Sequence, residues 1–246
     1  MKKTCFVSFL FFSLGILFLQ SCTTYQNLST ADLNQYYGSS IVDASYPEAD
    51  EIYDGLTSIS TDNGKLVWKE INGEAYMLVA TWTASDSYYP ETGEYNTSKY
   101  PIWVTVAPQL LDWYKSRKPK ELKNRDLRLK QLLGLPPSVD KNYFIEFWVK
   151  PEDLFRPCPD KEVTDNSCSL CFPDELDEEH KEWIKNLRND SYYTCQGDKY
   201  PWTQLGYTYD WYPGNKSHIG LSEFVIKAQR DIIVNKKYTT EEYLRQ

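Results

Sequence analysis

The stretch Gly64-Lys65-Leu66-Val67-Trp68-Lys69-Glu70-Ile71-Asn72-Gly73-Glu74-Ala75-Tyr76-Met77-Leu78-Val79-Ala80-Thr81-Trp82 decides the fold class. Two β-rich runs flank Asn72-Gly73, and Asn-Gly between such runs is the strongest short-range sign of a β-hairpin. Working outward toward the C-terminus, residues 100–106 read as a strand with Pro101 confined to its start. Pro108 then opens a helix over residues 109–114, with Leu110, Trp113 and Tyr114 on one face. A second helix fits residues 124–133 and stops at Gly134 and Pro136-Pro137. Residues 143–149, Tyr-Phe-Ile-Glu-Phe-Trp-Val, form a nearly continuous apolar run, the pattern of a central strand buried on both faces.

Farther along, residues 174–188 read as a helix with an acidic start and with Lys185 and Arg188 near its end, in keeping with the helix dipole. Residues 207–211 and 219–226 read as strands around a turn at 212–215. Residues 232–234 fit either an edge strand or a helix end. Thr239 and Glu242 fit a capping box that opens a short terminal helix. The expected fold class is α+β: a mostly antiparallel sheet with a few helices on one side and a disulfide-stapled insertion over about residues 151–200.

The N-terminus is of a different kind. Lys2 and Lys3 precede an apolar run over residues 6–19, which ends at Gln20-Ser21-Cys22. This is the layout of an export signal, and its apolar run is too short to span a bilayer comfortably. Leu19-Gln20-Ser21-Cys22 resembles the lipobox of bacterial lipoproteins. The resemblance implies removal of residues 1–21, diacylglycerol on the Cys22 sulfur and acylation of its amine, with a lipid bilayer as the first partner. Because Thr23 is not aspartate, the resemblance points to an outer-membrane placement, facing the periplasm or the cell surface. Residues 22–50, rich in Ser, Thr, Asn and Gln, read as a flexible tether, and 51–246 as one folded domain.

The formal charge is -8, and loss of Lys2 and Lys3 with the signal leaves the chain more acidic still. That balance argues against nucleic acid, which demands a basic face. A basic run from Lys115 to Lys130 reads as the solvated face of a helical connection or as a local basic patch. Beyond Cys5 and Cys22, Cys158, Cys168, Cys171 and Cys195 make an even set, which in an exported chain predicts two disulfides. Long-range bridges are expected, Cys158 with Cys168 or Cys171 and the remaining one with Cys195. The same four residues also have the count for zinc, and Cys168-Ser169-Leu170-Cys171 has redox-motif spacing.

The chain carries 20 Tyr and 8 Trp but only 2 Met, so much of its apolar material has a polar tip. Tyr207, Tyr209 and Trp211 share one face of a strand, and with Trp202 they make either a platform for a sugar ring or part of the core. Glu146 and Glu223 interrupt apolar strand runs. If both border one cleft, they suit glycoside hydrolysis; otherwise each pairs with an arginine such as Arg128 or Arg156, or faces solvent. Asp210, His218 and Ser222 suggest a Ser-His-Asp set, but Gly220-Leu221-Ser222-Glu223-Phe224 lacks a nucleophile-elbow glycine. His180, in Asp177-Glu178-Glu179-His180, reads as a solvated helix start rather than a metal ligand, and no metal or other cofactor is expected. The functional expectation is an envelope lipoprotein that binds a glycan or an envelope protein through aromatic side chains. The alternative is a secreted glycan hydrolase, tested by whether Glu146, Glu223, Tyr209 and Trp211 converge on one pocket.

Overall fold

The computed structural model describes residues 28–246 except Leu176. The expected signal segment and the lipobox-like Cys22 lie outside the described residues. The strands are β1 (Trp68–Ile71), β2 (Glu74–Thr83), β3 (Gly93–Asn96), β4 (Ile102–Val106), β5 (Tyr143–Val149), β6 (Leu154–Phe155), β7 (Tyr207–Tyr209), β8 (Ile219–Ser222), β9 (Phe224–Ile226) and β10 (Asp231–Thr239). The helices are α1 (Thr30–Ala44), α2 (Ala107–Ser116), α3 (Arg125–Leu132), α4 (Glu178–Arg188) and α5 (Thr240–Leu244).

The fold is α+β. An eight-stranded sheet runs in the order β3-β10-β5-β2-β4-β9-β6, with β1 on β2, and β7 and β8 form a separate pair. All these pairings are antiparallel. The opening hairpin forms as expected: Ile71 faces Glu74, and both Asn72 (φ 54) and Gly73 (φ 81) are left-handed. That is the type I′ geometry that matches the twist of paired strands. β5 lies between β10 and β2, and residues 144–149 are buried, which explains their unbroken apolar run.

Helices α2, α3 and α5 pack on one face of the sheet. Their Leu110, Leu129, Leu132 and Tyr243 join Ala80, Trp82 and Phe144 in one cluster. The opposite face carries Met77, Val79, Val104, Ile145 and Phe147, covered by loops that bring in Ile59 and Leu66. The capping box at Thr239 and Glu242 is present. Residues 232–234, left open between edge strand and helix end, lie in β10 between β3 and β5, inside the sheet.

Three expectations need correction. Of the expected tether, Thr30–Ala44 is a helix, started by a reciprocal cap between Ser29 and Asp32 and docked on the domain through Tyr37 and Ala44. Tyr37 meets Trp211 edge to face and donates to the Lys199 carbonyl at 2.8 Å. Next, among the described residues only Cys158 and Cys168 are bridged; Cys171 and Cys195 are free and exposed, so the expected second bridge is not made. Finally, residues 219–226 are not one strand. The run breaks at Glu223, with β8 pairing to β7 and β9 pairing to β4 and β6.

No helix among the described residues is long and apolar enough to cross a membrane.

Candidate functional site

A deep feature beyond the core arises where two strands part. β2 pairs with β4 only through Val79 with Val106 and Ala80 with Thr105. Past that point, residues 81–83 pair with β5 and residues 102–104 with β9, so both stretches line the space between them with one neighbouring strand each. A cavity of about 1050 Å³ occupies this divergence. It touches Tyr89 and Tyr95, which pack with one sheet face, and Trp82, Phe144 and Leu110, which belong to the other. The cleft therefore passes through the plane of the sheet. Its volume is at the upper end of the range for small-molecule sites, roughly 300–1,000 Å³.

The wall combines rings with hydrogen-bonding groups. Tyr88, Tyr100, Trp103, Tyr200 and Trp202 supply aromatic surface, and Thr81, Thr97, Ser98, Ser191 and Thr208 supply hydroxyls. Two Tyr-Pro pairs, Tyr100-Pro101 and Tyr200-Pro201, both reach it. Proline biases its preceding residue toward extended backbone, so each pair holds a tyrosine on a stiff segment at the wall.

The charged groups of the wall are Glu223, Lys99 and Lys141. The break between β8 and β9 creates the position of Glu223, whose backbone N–H donates to the Gly206 carbonyl at 3.0 Å. Its carboxyl has no hydrogen-bond or ion-pair partner among the described residues. Protein surrounds it while part of its surface stays open to the cavity, and burial alone pushes its pKa up to about 8. Loss of hydration penalises the charged form, and no cation offsets the loss. Burial likewise lowers the pKa of Lys141 and pushes the Tyr89 hydroxyl up to about 12.

Of the residues singled out from sequence, Glu223, Trp202 and Tyr209 border this cavity, and Glu146, Tyr207 and Trp211 do not. Trp202, Tyr207, Tyr209 and Trp211 are all buried, the core alternative of the two, although Trp202 and Tyr209 also reach the cavity wall. Their polar tips are satisfied inside: Trp202 Nε1 donates to Pro157 O at 2.8 Å, Tyr207 Oη to Glu51 O at 3.0 Å, Tyr209 Oη to Asp43 at 2.6 Å and Trp211 Nε1 to Leu135 O at 3.0 Å. Such partners remove the cost of burying a tyrosine or tryptophan.

Glu146 sits within the sheet and accepts from Asn235 at 2.7 Å and Tyr238 at 3.4 Å; burial raises its pKa and these bonds oppose the shift. Neither glutamate pairs with an arginine. Arg128 grips Asp210 with two bonds at 3.0 and 2.7 Å, and Arg156 pairs with Asp165. No Ser-His-Asp set forms, because Asp210 is held by Arg128 and Ser222 Oγ accepts the Thr57 N–H at 2.8 Å. His180 is buried rather than solvated, against Phe155 and Trp183, with Nε2 at 2.8 Å from the Cys158 carbonyl.

Fold and site together define an α+β domain with an aromatic-lined cleft between diverging strands of one sheet. The chain matches no protein-family model, no curated protein and no solved structure.

Proposed function

We propose that this chain is an envelope lipoprotein, held to a bilayer by acyl chains on Cys22, whose folded domain binds a carbohydrate in the cleft between β2 and β4. The observation that carries the binding role is the lining, tyrosine and tryptophan rings interleaved with hydroxyls around a cavity of about 1050 Å³. A sugar ring has apolar C–H faces and a rim of hydroxyls, so it needs both kinds of surface at once. The anchor rests on the basic start, the short apolar run and the lipobox-like Leu19-Gln20-Ser21-Cys22. The outer-membrane placement rests on Thr23.

The binding role is tested by titrating the full chain in detergent with an oligosaccharide panel while following tryptophan fluorescence. A saturable change is expected with at least one glycan and should be lost in Trp103→Ala. A flat response to every glycan sinks the reading. For the anchor, Cys22→Ser is expected to abolish incorporation of labelled palmitate and to shift the protein out of the membrane pellet.

A second reading is favoured by a separate observation, the one-sided pairing of residues 81–83 and 102–104. Strands with a free edge can accept an extended peptide as an added strand, which is the form an envelope-protein partner would take here. Binding of that kind would be abolished by N-methylation of the peptide backbone. The hydrolase alternative needs two carboxylates flanking one glycosidic bond, and Glu146 does not border the cleft that Glu223 borders.

A further inference from the structure

We infer that the cleft takes a ligand with a protonated amine, an amino sugar, and that Glu223 is the receptor for the ammonium group. This rests on the carbohydrate reading and adds the charge of the ligand to it.

Three observations converge. Glu223 is a carboxyl in the cavity wall with no hydrogen-bond or ion-pair partner among the described residues, whereas Glu146 and Asp210 are satisfied by neighbours. A buried acid without a partner is costly, and a protein that keeps one has a place for a partner to arrive. The surrounding wall is rich in aromatic faces, with Trp202, Trp103 and Tyr200 among its residues. Aromatic faces attract cations and gain strength where water is excluded. The wall's own cations do not pair with Glu223: neither Lys99 nor Lys141 makes an ion pair with it among the described residues, and Lys99 Nζ lies 4.9 Å over the Tyr100 ring. Lys141 directly precedes Asn142, whose N–H donates to Thr83 at the end of β2, while Glu223 adjoins β9 on the far side of β4 in the strand order.

A ligand hydroxyl does not explain an acid at this position. A hydroxyl needs only a neutral acceptor, which glutamine supplies without the penalty of burying a charge. An ammonium group needs a carboxylate.

The proton balance gives a direct readout. At about pH 5.5, where the amines of an amino sugar are already protonated before they bind, the free carboxyl, with its pKa pushed up to about 8, holds its proton. Arrival of an ammonium favours the ionised form, so Glu223 releases a proton to the buffer while the amine keeps its own. The other charged side chains of the wall are Lys99 and Lys141. The hydroxyls of Tyr89, Tyr200 and Tyr209 in the wall, and of Tyr192 stacked behind Trp202, are all raised by burial and keep their protons at that pH.

The experiment uses the full chain in detergent with two probes, chitosan oligosaccharides and the matching N-acetylated chitin oligosaccharides, by calorimetry in buffers of different ionisation enthalpy. Chitosan oligosaccharides are expected to bind at least about tenfold more tightly than their acetylated counterparts. Their binding should release close to one proton per site, and Glu223→Gln should remove both the preference and the release. Equal affinity for the two probes, or tighter chitosan binding without proton release, overturns the assignment to Glu223 while leaving carbohydrate binding intact. Failure of both probes and of the wider glycan panel overturns the carbohydrate reading and this inference with it.

Discussion

At the scale of the residue, Glu223 ties stability to pH in an unusual direction. Its pKa is 4.5 for an ordinary glutamate and about 8 in the folded chain. Between those values the folded state holds a proton that the unfolded state has released, so stability falls as pH rises through this window and levels off above it. Glu223→Gln is neutral throughout. It should therefore gain on the wild type as pH rises from about 5 to about 9, by on the order of a few kcal/mol. Thermal melts of both proteins across that range check this, and parallel curves would show that the carboxyl is not buried as described. Gly206 makes a second residue-level demand. It sits at φ +77, and an added Cβ would meet Cys168 Sγ at 2.6 Å. Gly206→Ala therefore brings backbone strain and a clash against the Cys158–Cys168 bridge, and it should cost about 2 kcal/mol or more in urea unfolding. Thiol chemistry gives a third check. Cys171 and Cys195 should react with maleimide in the native protein, and Cys158 and Cys168 only after reduction.

Among the elements, α3 is held to the segment after β7 by a buried ion pair and by the Trp211 backbone N–H, which donates to the Gln131 carbonyl at 3.2 Å. Arg128 and Asp210 lie at 7% and 2% side-chain exposure, and Arg128 also stacks between Trp113 and Tyr212. Removing one partner leaves the other charge buried and unpaired, so Asp210→Asn should destabilise by about 3–5 kcal/mol. A double-mutant cycle with Arg128→Met separates the pair's worth from that of the stranded charge; additive losses would show that the pair is not coupled. Elements with a local chemical signature were legible beforehand: the Asn72-Gly73 hairpin, the unbroken apolar run of β5 and the Thr239 cap all appear where the sequence places them. α1 was not. Its packed positions, Leu33, Tyr37, Ile41 and Ala44, recur at helical spacing, but two polar-tipped or small residues among them blur the apolar stripe. Its cap also uses Asp32 in place of the usual Glu or Gln. The aromatic stripe of β7 was legible as a stripe, yet alternation alone cannot tell which face is covered. Trp202 and Tyr209 have satisfied polar tips because distant segments supply Pro157 and Asp43, and that information is tertiary. The cleft was illegible for the same reason. Its walls come from strands and loops spread over more than half of the chain, and only Glu223 and the two Tyr-Pro pairs mark it locally.

For the whole molecule, the cleft divides the sheet into two parts that share little pairing. β3, β10, β5 and β2 form one continuous antiparallel block, and β4, β9 and β6 form another. Only two residue pairs, Val79 with Val106 and Ala80 with Thr105, join the blocks by strand pairing. Such a seam is where a sheet opens at the lowest cost, because fewer hydrogen bonds and less buried surface must be given up there. A ligand seated in the cleft touches both walls, so its binding energy adds to whatever holds the blocks together. At a concentration of about 100 times its Kd, a ligand that binds only the folded state adds about 2.7 kcal/mol to stability. The location of the effect is more diagnostic than its size. In the free protein, amides of residues 81–83 and 102–104 that face the cleft should exchange with deuterium quickly, while those of β5, buried between β10 and β2, exchange slowly. Saturation with a glycan identified by fluorescence should slow exchange along both cleft walls together and leave β5 and β10 unchanged. Protection confined to one wall, or a rise in melting temperature with no protection at either, would place the ligand outside the divergence of β2 and β4 and remove the cleft as the site.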